Sequence, residues 1–398
     1  MAIGTSHLVL STKAGAQYGW IMVAPILLAN ILKYPFFEFG VRYTNITNKT
    51  LIEGYLNRGK SHLWFYAFIT LITTFTILSA LYTVTAGLLI NLLNISHVPL
   101  PYVAMGLFIF IGLILIIGRY RFLENSLKFV VSILFIALVV TTALVLFKGQ
   151  VETVTDFSPP PIFNEMGVLF LIGLIGWMPT AVEASSWISL WSLEKWRTQK
   201  YKPTLKESLQ EFNIGYFMTT ILAVMFLVIG SMTLYGTNTE LSGSAVTFAD
   251  QVVRLFTTHI GQWAYVFIAV AALATMFSTC MTAHDAVARV GLDIIDLLSP
   301  KIKLQGKKGY FALAIIVLAL VNYMVIIIFE GNMGALVALA TFVSFVVAPI
   351  VGYMNLKNVM SEDLPEIHRP KKWLQYLTYA GIAFLSFFSI YYFWIVVF

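Results

Sequence analysis

The sixth long apolar stretch of this chain, Gly167 to Leu193, is interrupted near its middle by Gly-Trp-Met-Pro-Thr at residues 176–180, and Glu183 follows. Proline lacks an N–H and its ring clashes with the preceding turn, so an α-helix opens there and leaves carbonyls without partners. Inside a bilayer, an opened helix is tolerated only where it lines a cavity or is buried in protein. The pattern predicts either a binding site at the break or a plain proline kink, which transmembrane helices also carry.

Composition places the chain in a membrane. Hydrophobic residues make up 59% of it and charged residues 11%, whereas a soluble domain carries roughly 25% charged residues. The single cysteine, Cys280, excludes an internal disulfide and a thiolate metal cluster. The sequence has no phosphate-binding loop of the Walker type and no cleavable signal peptide.

Ten apolar stretches are long enough to span a bilayer, which takes about 20 residues. Numbered 2 to 11, they are Tyr18–Thr44, His62–Leu93, Tyr102–Gly118, Leu127–Phe147, Gly167–Leu193, Asn213–Leu234, Trp263–Leu297, Tyr310–Phe329, Met333–Asn355 and Trp373–Phe398. A fragment about half as long, Met1–Thr12, precedes them as segment 1. The stretch Phe248–Thr258 has helical spacing, and we favour a simple connector over a surface helix there. One transmembrane domain, 1–398, is expected.

Basic residues predict the orientation of these spans. Most of the 25 Lys and Arg residues lie in loops 2–3, 4–5, 6–7, 8–9 and 10–11, whereas the alternate loops hold Lys13, Lys148 and Arg254. Cytoplasmic loops carry the excess of positive charge. We therefore expect these five loops in the cytoplasm, the C-terminus outside, and a location in the plasma (cytoplasmic) membrane.

A second interruption lies in segment 1, at Gly4-Thr5-Ser6-His7. Glycine and hydroxyl residues weaken a helix, and this run offers hydroxyl and carbonyl oxygens and an imidazole. The alternative is an N-terminal tail with a surface histidine. Interruptions at corresponding positions of two halves indicate the substrate site of an inverted-repeat transporter. The corresponding repeats would cover about 1–148 and 165–355, and 373–398 would be an extra helix.

Further polar residues lie inside the predicted spans. Glu38 and Arg42 are four residues apart, and they form either a structural ion pair or a gate. In segment 8, hydroxyl residues recur at helical spacing, which is typical both of a cavity lining and of packing between helices. His284 beside Asp285 suggests either a proton relay or an ordinary polar contact.

Several motifs resemble, in order and spacing, those of the Nramp family of divalent-metal transporters. They are Ala14–Gly19 before the second span, Leu27–Asn30, Val41–Lys49, Gly173–Pro179 in the broken span and Ser278–Thr282. The resemblance covers nearly the whole chain. It implies an all-α polytopic fold of the LeuT type, with a 5+5 inverted repeat and an eleventh helix. It also implies transport of an inorganic, divalent metal cation by alternating access.

The same comparison shows departures at the expected ion site. The family's metal-binding Asp-Pro-Gly-Asn falls on Gly4-Thr5-Ser6-His7, so glycine replaces the ligand aspartate and histidine the ligand asparagine. The resemblance places the ion against Gly4, His7, Ile175 and Met178. Six further residues are expected either next to these ligands or at a gate. They are Thr5, Ser6, Thr180, Glu183, Glu38 and Arg42. The family's acidic pair falls on Ser79 and Tyr82, which makes proton coupling doubtful.

The ligand types limit which ion can bind. Without a carboxylate, such a site holds Mn²⁺ or Fe²⁺ weakly, whereas His7 with Met178 suits Zn²⁺, Fe²⁺ or Cu⁺. Glu183 is a candidate for the missing charge. Family members also carry a further half-helix before the first motif, so here the first helix is only half present. We expect either a reading frame that starts upstream, which we favour, or a chain that lacks half of its inner gate.

Other functions remain open at this point. The same fold carries small organic substrates such as amino acids, whose carboxylate the half-helix after Pro179 would bind. A non-transporting pseudo-transporter is another alternative. A membrane-embedded enzyme using His7, or His284 with Asp285, is disfavoured because no HExxH or GxSxG motif occurs. We expect no cofactor, no nucleic-acid partner and no obligate protein partner, only the cation and the lipid bilayer.

Overall fold

The computed structural model describes residues 4–118, 120–299, 301 and 303–397, and the side chains of 120–131, 259 and 396–397 are outside that description. The predicted positions Met1–Ile3, Arg119 and Phe398, and the side chains of Arg121 and Lys128, therefore lie outside the described residues. Within the described ranges the fold is entirely helical. The α-helices are α1 Thr12–Tyr18, α2 Val23–Thr47, α3 Leu51–Arg58, α4 Lys60–Leu93, α5 Leu100–Ile117, α6 Tyr120–Lys148, α7 Glu165–Gly176, α8 Ala184–Gln199, α9 Leu205–Leu234, α10 Ala245–Ile260, α11 Tyr265–Leu298, α12 Lys308–Ile328, α13 Met333–Val359 and α14 Lys372–Val397.

Eight continuous helical runs among the described residues are long and apolar enough to cross a membrane. This number is lower than the ten predicted spans. The predicted segment 6 is divided into α7 and α8, and the described apolar part of α6 is only Ser132–Lys148. The fragment and segment 2 belong to one run, Ser6–Thr47. The chain is a multi-pass membrane protein.

The run Ser6–Thr47 reverses direction at Gly19. A six-residue π-helix, Ser6–Ser11, leads into α1, which ends at Gly19 with a φ of 69°. His7 contacts Thr219, and Gly15 lies against Leu227, so this part runs parallel to α9. The second part is antiparallel, because its contacts move toward earlier residues of α9 as the chain advances. Those contacts are Asn30 with Thr220, Tyr34 with Asn213, and Asn45 with Ser208.

Two short helices differ from the sequence interpretation. The loop 2–3 contains α3, which starts with a capping box in which Thr50 and Glu53 each bond the other's backbone N–H. The Thr-x-x-Glu signal was present in the sequence and was missed. The connector interpretation of Phe248–Thr258 was wrong. That stretch forms α10, which buries Phe248, Val252 and Phe256 and packs on α4.

The crossing of α1 and α9 depends on two glycines. A Cβ at Gly15 would lie 2.0 Å from the carbonyl oxygen of Leu227, and one at Gly230 would lie 2.3 Å from that of Thr12. Both separations are too short for non-bonded atoms, so only glycine permits this distance between the helices. The close crossing keeps the Ser6–Ser11 segment against the centre of the protein.

We expect Gly15→Ala to destabilise the protein by about 1–3 kcal/mol or more, because the new methyl group overlaps the α9 backbone. Thermal unfolding of the detergent-purified protein measures the effect. The matched control is Gly106→Ala on α5, where a Cβ meets nothing within 4 Å. That change should be neutral or stabilising by up to about 1 kcal/mol. Equal melting temperatures for the two variants would contradict the close crossing.

Candidate functional site

The predicted interruption of the sixth span is confirmed. Helix α7 ends at Gly176, α8 begins at Ala184, and residues 177–183 form an irregular connection between them. The Met178–Pro179 peptide bond is cis. A Cβ at Gly176 would lie 2.5 Å from the carbonyl oxygen of Thr341, so glycine lets the end of α7 approach α13. The break is therefore held inside the helix bundle.

Lys33 of α2 reaches the break and donates to three backbone carbonyls there. Its Nζ lies 3.0 Å from the oxygen of Ile175, 2.8 Å from that of Gly176 and 3.1 Å from that of Thr180. We call these three oxygens the carbonyl cluster. Lys33 has no solvent-exposed surface. The sequence interpretation did not assign Lys33 to the site, although a lysine inside a membrane span is itself a signal of function.

The interruption in segment 1 lies against the interruption in segment 6. Ser6 Oγ lies 3.4 Å from the carbonyl oxygen of Pro179 and 3.0 Å from Nδ1 of His7. His7 Nε2 lies 3.0 Å from the carbonyl oxygen of Thr219 on α9. A carbonyl can only accept, so Nε2 carries the hydrogen. Both ring nitrogens of His7 thus have protein partners, and neither is a free metal ligand in this conformation.

A small cavity of about 40 Å³ lies where the two interruptions meet. Its lining includes Gly4, Thr5, His7, Thr180 and Thr279. Thr5 is 1% exposed, and its hydroxyl has no hydrogen-bond partner among the described residues. Because a single water needs roughly 10–15 Å³, the cavity is sized for an ion or a few waters.

Glu183 lies behind the break and is bonded to α13. Ser344 Oγ donates to Glu183 Oε1 at 3.0 Å, and the Nε1–H of Trp177 donates to Ser344 Oγ at 3.1 Å. The side chain of Glu183 is buried. This carboxylate was predicted as the missing charge of the ion site. It is not part of the lining of the small cavity.

Three other predicted site residues are not part of the lining of the small cavity. Glu38 and Arg42 form the predicted ion pair, and Arg42 Nη1 donates to the carbonyl oxygen of His368 at 2.8 Å. This arrangement joins α2 to the connection before α14. Met178 is fully buried and is not among the residues that line the small cavity.

The histidine of α11 has no relay geometry with its neighbour. His284 Nδ1 lies 2.8 Å from the Tyr82 hydroxyl, and Nε2 lies 3.1 Å from the carbonyl oxygen of Ile315. Asp285 instead pairs with Arg289 at 2.9 Å. No group of three or more His, Cys, Asp or Glu side chains that could hold a metal occurs in the described ranges. The ordinary-contact interpretation of His284 therefore holds.

Two larger cavities approach the site from different loops. One, of about 500 Å³, extends from Lys195 and Pro203 in the 6–7 loop to Thr180 and Thr219. The other, of about 800 Å³, is lined in part by the connection between α6 and α7 at Phe157 and by the connection between α9 and α10 at Asn238, and it extends to Gly173. The small cavity at Gly4–His7 shares Pro179 and Thr180 with the first and no lining residue with the second.

Comparison with known proteins gives a family match over the whole chain. Residues 1–395 match the family model described as Nramp, natural resistance-associated macrophage protein-like. An uncharacterized protein of Pasteurella multocida (strain Pm70) is 32% identical over 394 residues, which cover 98% of this chain and 88% of that protein. The sequence resemblance is therefore confirmed.

Solved structures show the same fold. A mutant form of a manganese transporter from Eremococcus coleocola superposes with a TM-score of 0.72 at 12% identity, covering 98% of this chain and 83% of that one. The same transporter in complex with an aromatic bis-isothiourea compound gives a TM-score of 0.69 at 11% identity, with the same coverage. At this level of identity, the likeness establishes the fold.

We expect Ser344→Ala to destabilise the protein by about 1–3 kcal/mol, because it leaves the buried Trp177 N–H and Glu183 Oε1 without their partner. Thermal unfolding in detergent measures the loss. Ser389→Ala is the control, since that buried hydroxyl donates only to a carbonyl of its own helix. If the two substitutions lower the melting temperature equally, Ser344 does not connect the two side chains as described.

Proposed function

The chain belongs to the Nramp family, whose members are transporters rather than enzymes, and from this premise we propose that it carries an inorganic cation across the membrane. The observation that supports this best is the meeting of Ser6 with Pro179 around a cavity of about 40 Å³. Two interrupted helices that meet in the middle of a bundle are typical of substrate sites in inverted-repeat transporters. A space of this size suits a cation rather than an organic molecule.

The groups around the cavity favour a hard divalent cation. Thr5 contributes an unpartnered hydroxyl, and Thr180, whose carbonyl oxygen accepts from Lys33, lines the same cavity. Hydroxyl, carbonyl and water oxygens suit Mg²⁺, Ca²⁺ or Mn²⁺, whereas Zn²⁺ and Cu⁺ prefer imidazole and sulfur. Because His7 is hydrogen-bonded at both nitrogens and Met178 lies outside the cavity lining, oxygen ligands dominate. We therefore propose a harder ion than the one that His7 with Met178 suggests from the sequence.

Alternating access fits the two larger cavities. The one at Lys195 and Pro203 would open to the cytoplasm, and the one at Phe157 and Asn238 to the outside. Their separation by the small cavity resembles an occluded conformation. The assignment of sides follows the distribution of basic residues, and the repeats about 1–148 and 165–355 would supply the moving halves.

Uptake into proteoliposomes tests the proposal. We expect saturable uptake of at least one ion from a panel of Mn²⁺, Mg²⁺, Ca²⁺ and Zn²⁺, with a preference for the hard ions, and none in protein-free liposomes. A protein that folds but takes up none of these ions would contradict the proposal and favour a non-transporting role.

An organic substrate is the second candidate, because of the cavity of about 500 Å³ near the 6–7 loop. Its lining includes the aromatic side chains of Phe37, Trp191, Phe212 and Tyr216. Small-molecule sites typically measure about 300–1,000 Å³ and are lined by such residues. Uptake of a labelled amino-acid mixture by the same proteoliposomes, without any uptake of metal ions, would favour this function.

Restoring the family's carboxylate should strengthen ion binding. A Cβ at Gly4 meets only Thr279 Cγ2, at 3.9 Å, so the position has room for a side chain. We expect Gly4→Asp to lower the Kd for Mn²⁺ at least tenfold, since divalent cations favour charged oxygen ligands. Isothermal titration measures the change. Gly4→Asn has the same size without the charge and should remain near the wild type. Equal Kd values for the two variants would exclude Gly4 from the ion site.

A further inference from the structure

We propose that Lys33 is a tethered cation that occupies the carbonyl cluster and competes with the transported ion for it. The inference rests on the proposed function and concerns the regulation of the same site. Its starting point is the set of three contacts from one nitrogen to Ile175, Gly176 and Thr180, at 2.8–3.1 Å. These contacts link α2 to the end of α7 and to the middle of the break.

The geometry fixes the charge of Lys33. All three partners are backbone carbonyl oxygens, which can only accept hydrogen bonds. Three donated hydrogens require an ammonium, because a neutral amine carries only two. Lys33 is therefore positively charged in this conformation, although it has no solvent-exposed surface.

The carbonyl cluster has the composition of a cation site. Ile175 and Gly176 are the last residues of α7, where the helix dipole places partial negative charge. Unwound backbone carbonyls and half-helix C-termini coordinate cations in transporters of this architecture, and carbonyl oxygens replace the hydration shell of ions in channels. The ammonium makes with these oxygens the contacts that an ion would make.

The buried carboxylate of Glu183 explains how the protein tolerates this charge. Its Oε1 accepts from Ser344, and Glu183 is buried at the end of the same break, so an opposite charge lies in the same buried region as the ammonium. Removing one member of a buried charge pair leaves the other uncompensated, which is strongly unfavourable. The tethered cation therefore stabilises the ion-free conformation, in which the charges of Lys33 and Glu183 offset each other.

An ion and the ammonium cannot share the cluster. The ion would bind the same oxygens as the ammonium, and two positive charges a few ångström apart repel strongly in a site from which water is excluded. Thr180 belongs to the cluster and also lines the small cavity, so an ion in the cavity would be adjacent to Lys33. Binding of the transported ion consequently requires Lys33 to withdraw, which keeps the affinity of the wild type low.

Equilibrium binding of Mn²⁺ and Mg²⁺, each measured alone by isothermal titration to the full chain in detergent, tests the proposal. Lys33→Met removes the charge and all three donors. Lys33→Gln is included in case Lys33→Met fails to fold. Its neutral amide can still donate two hydrogen bonds to the carbonyl cluster. The control is Lys357→Met, a lysine at the end of α13 that is exposed and lies over the Tyr353 ring.

We expect both Lys33 variants to bind at least one of the two ions tenfold or more tightly than the wild type, and Lys357→Met to match the wild type. Equal affinities for wild type and Lys33 variants would overturn the inference, while proteoliposome uptake by the wild type would leave the proposed function standing. Tighter binding by the Lys33 variants without uptake by any protein would support the inference and refute the transport function. Absence of binding in every variant would refute the inference.

Discussion

The hydrogen bonds from Lys33 to Ile175, Gly176 and Thr180 are the interaction on which the centre of this protein depends. A helix that opens inside a bilayer leaves carbonyls that no water satisfies, and such a break persists only when other groups bond them. Here one side chain bonds carbonyls at the end of α7 and within the connection that follows it. A single buried ammonium therefore ties α2 to the break.

The other contacts of the site are organised around that charge. Glu183 supplies the opposite charge, and Ser344 connects it to Trp177 and to α13. On the other side of the break, Ser6 and His7 join the π-helix to Pro179 and α9. The result is an enclosed helix break at which an ammonium and a carboxylate are both buried.

The sequence predicted the features that depend on residues close together in the chain. The helix break followed from Pro179, the pair of Glu38 with Arg42 from their spacing, and most helix bounds from the lengths of apolar runs. It did not predict contacts between distant parts of the chain. Lys33 and Ile175 are 142 residues apart, and no periodicity relates them. The bond from His7 to Thr219 likewise depends on the reversal at Gly19, which places the π-helix beside α9.

The central claim is that the ammonium of Lys33 takes the place of an ion at the break. A crystal structure of Lys33→Met grown with Mn²⁺, with anomalous diffraction to locate the metal, tests it most directly. We predict a Mn²⁺ peak within about 2.1–2.6 Å of at least two oxygens of the carbonyl cluster, the range of hard cations bound to oxygen. The wild type under the same conditions should show no peak there. A Mn²⁺ ion bound to the cluster in the wild type, with Lys33 still in contact with it, would contradict the claim.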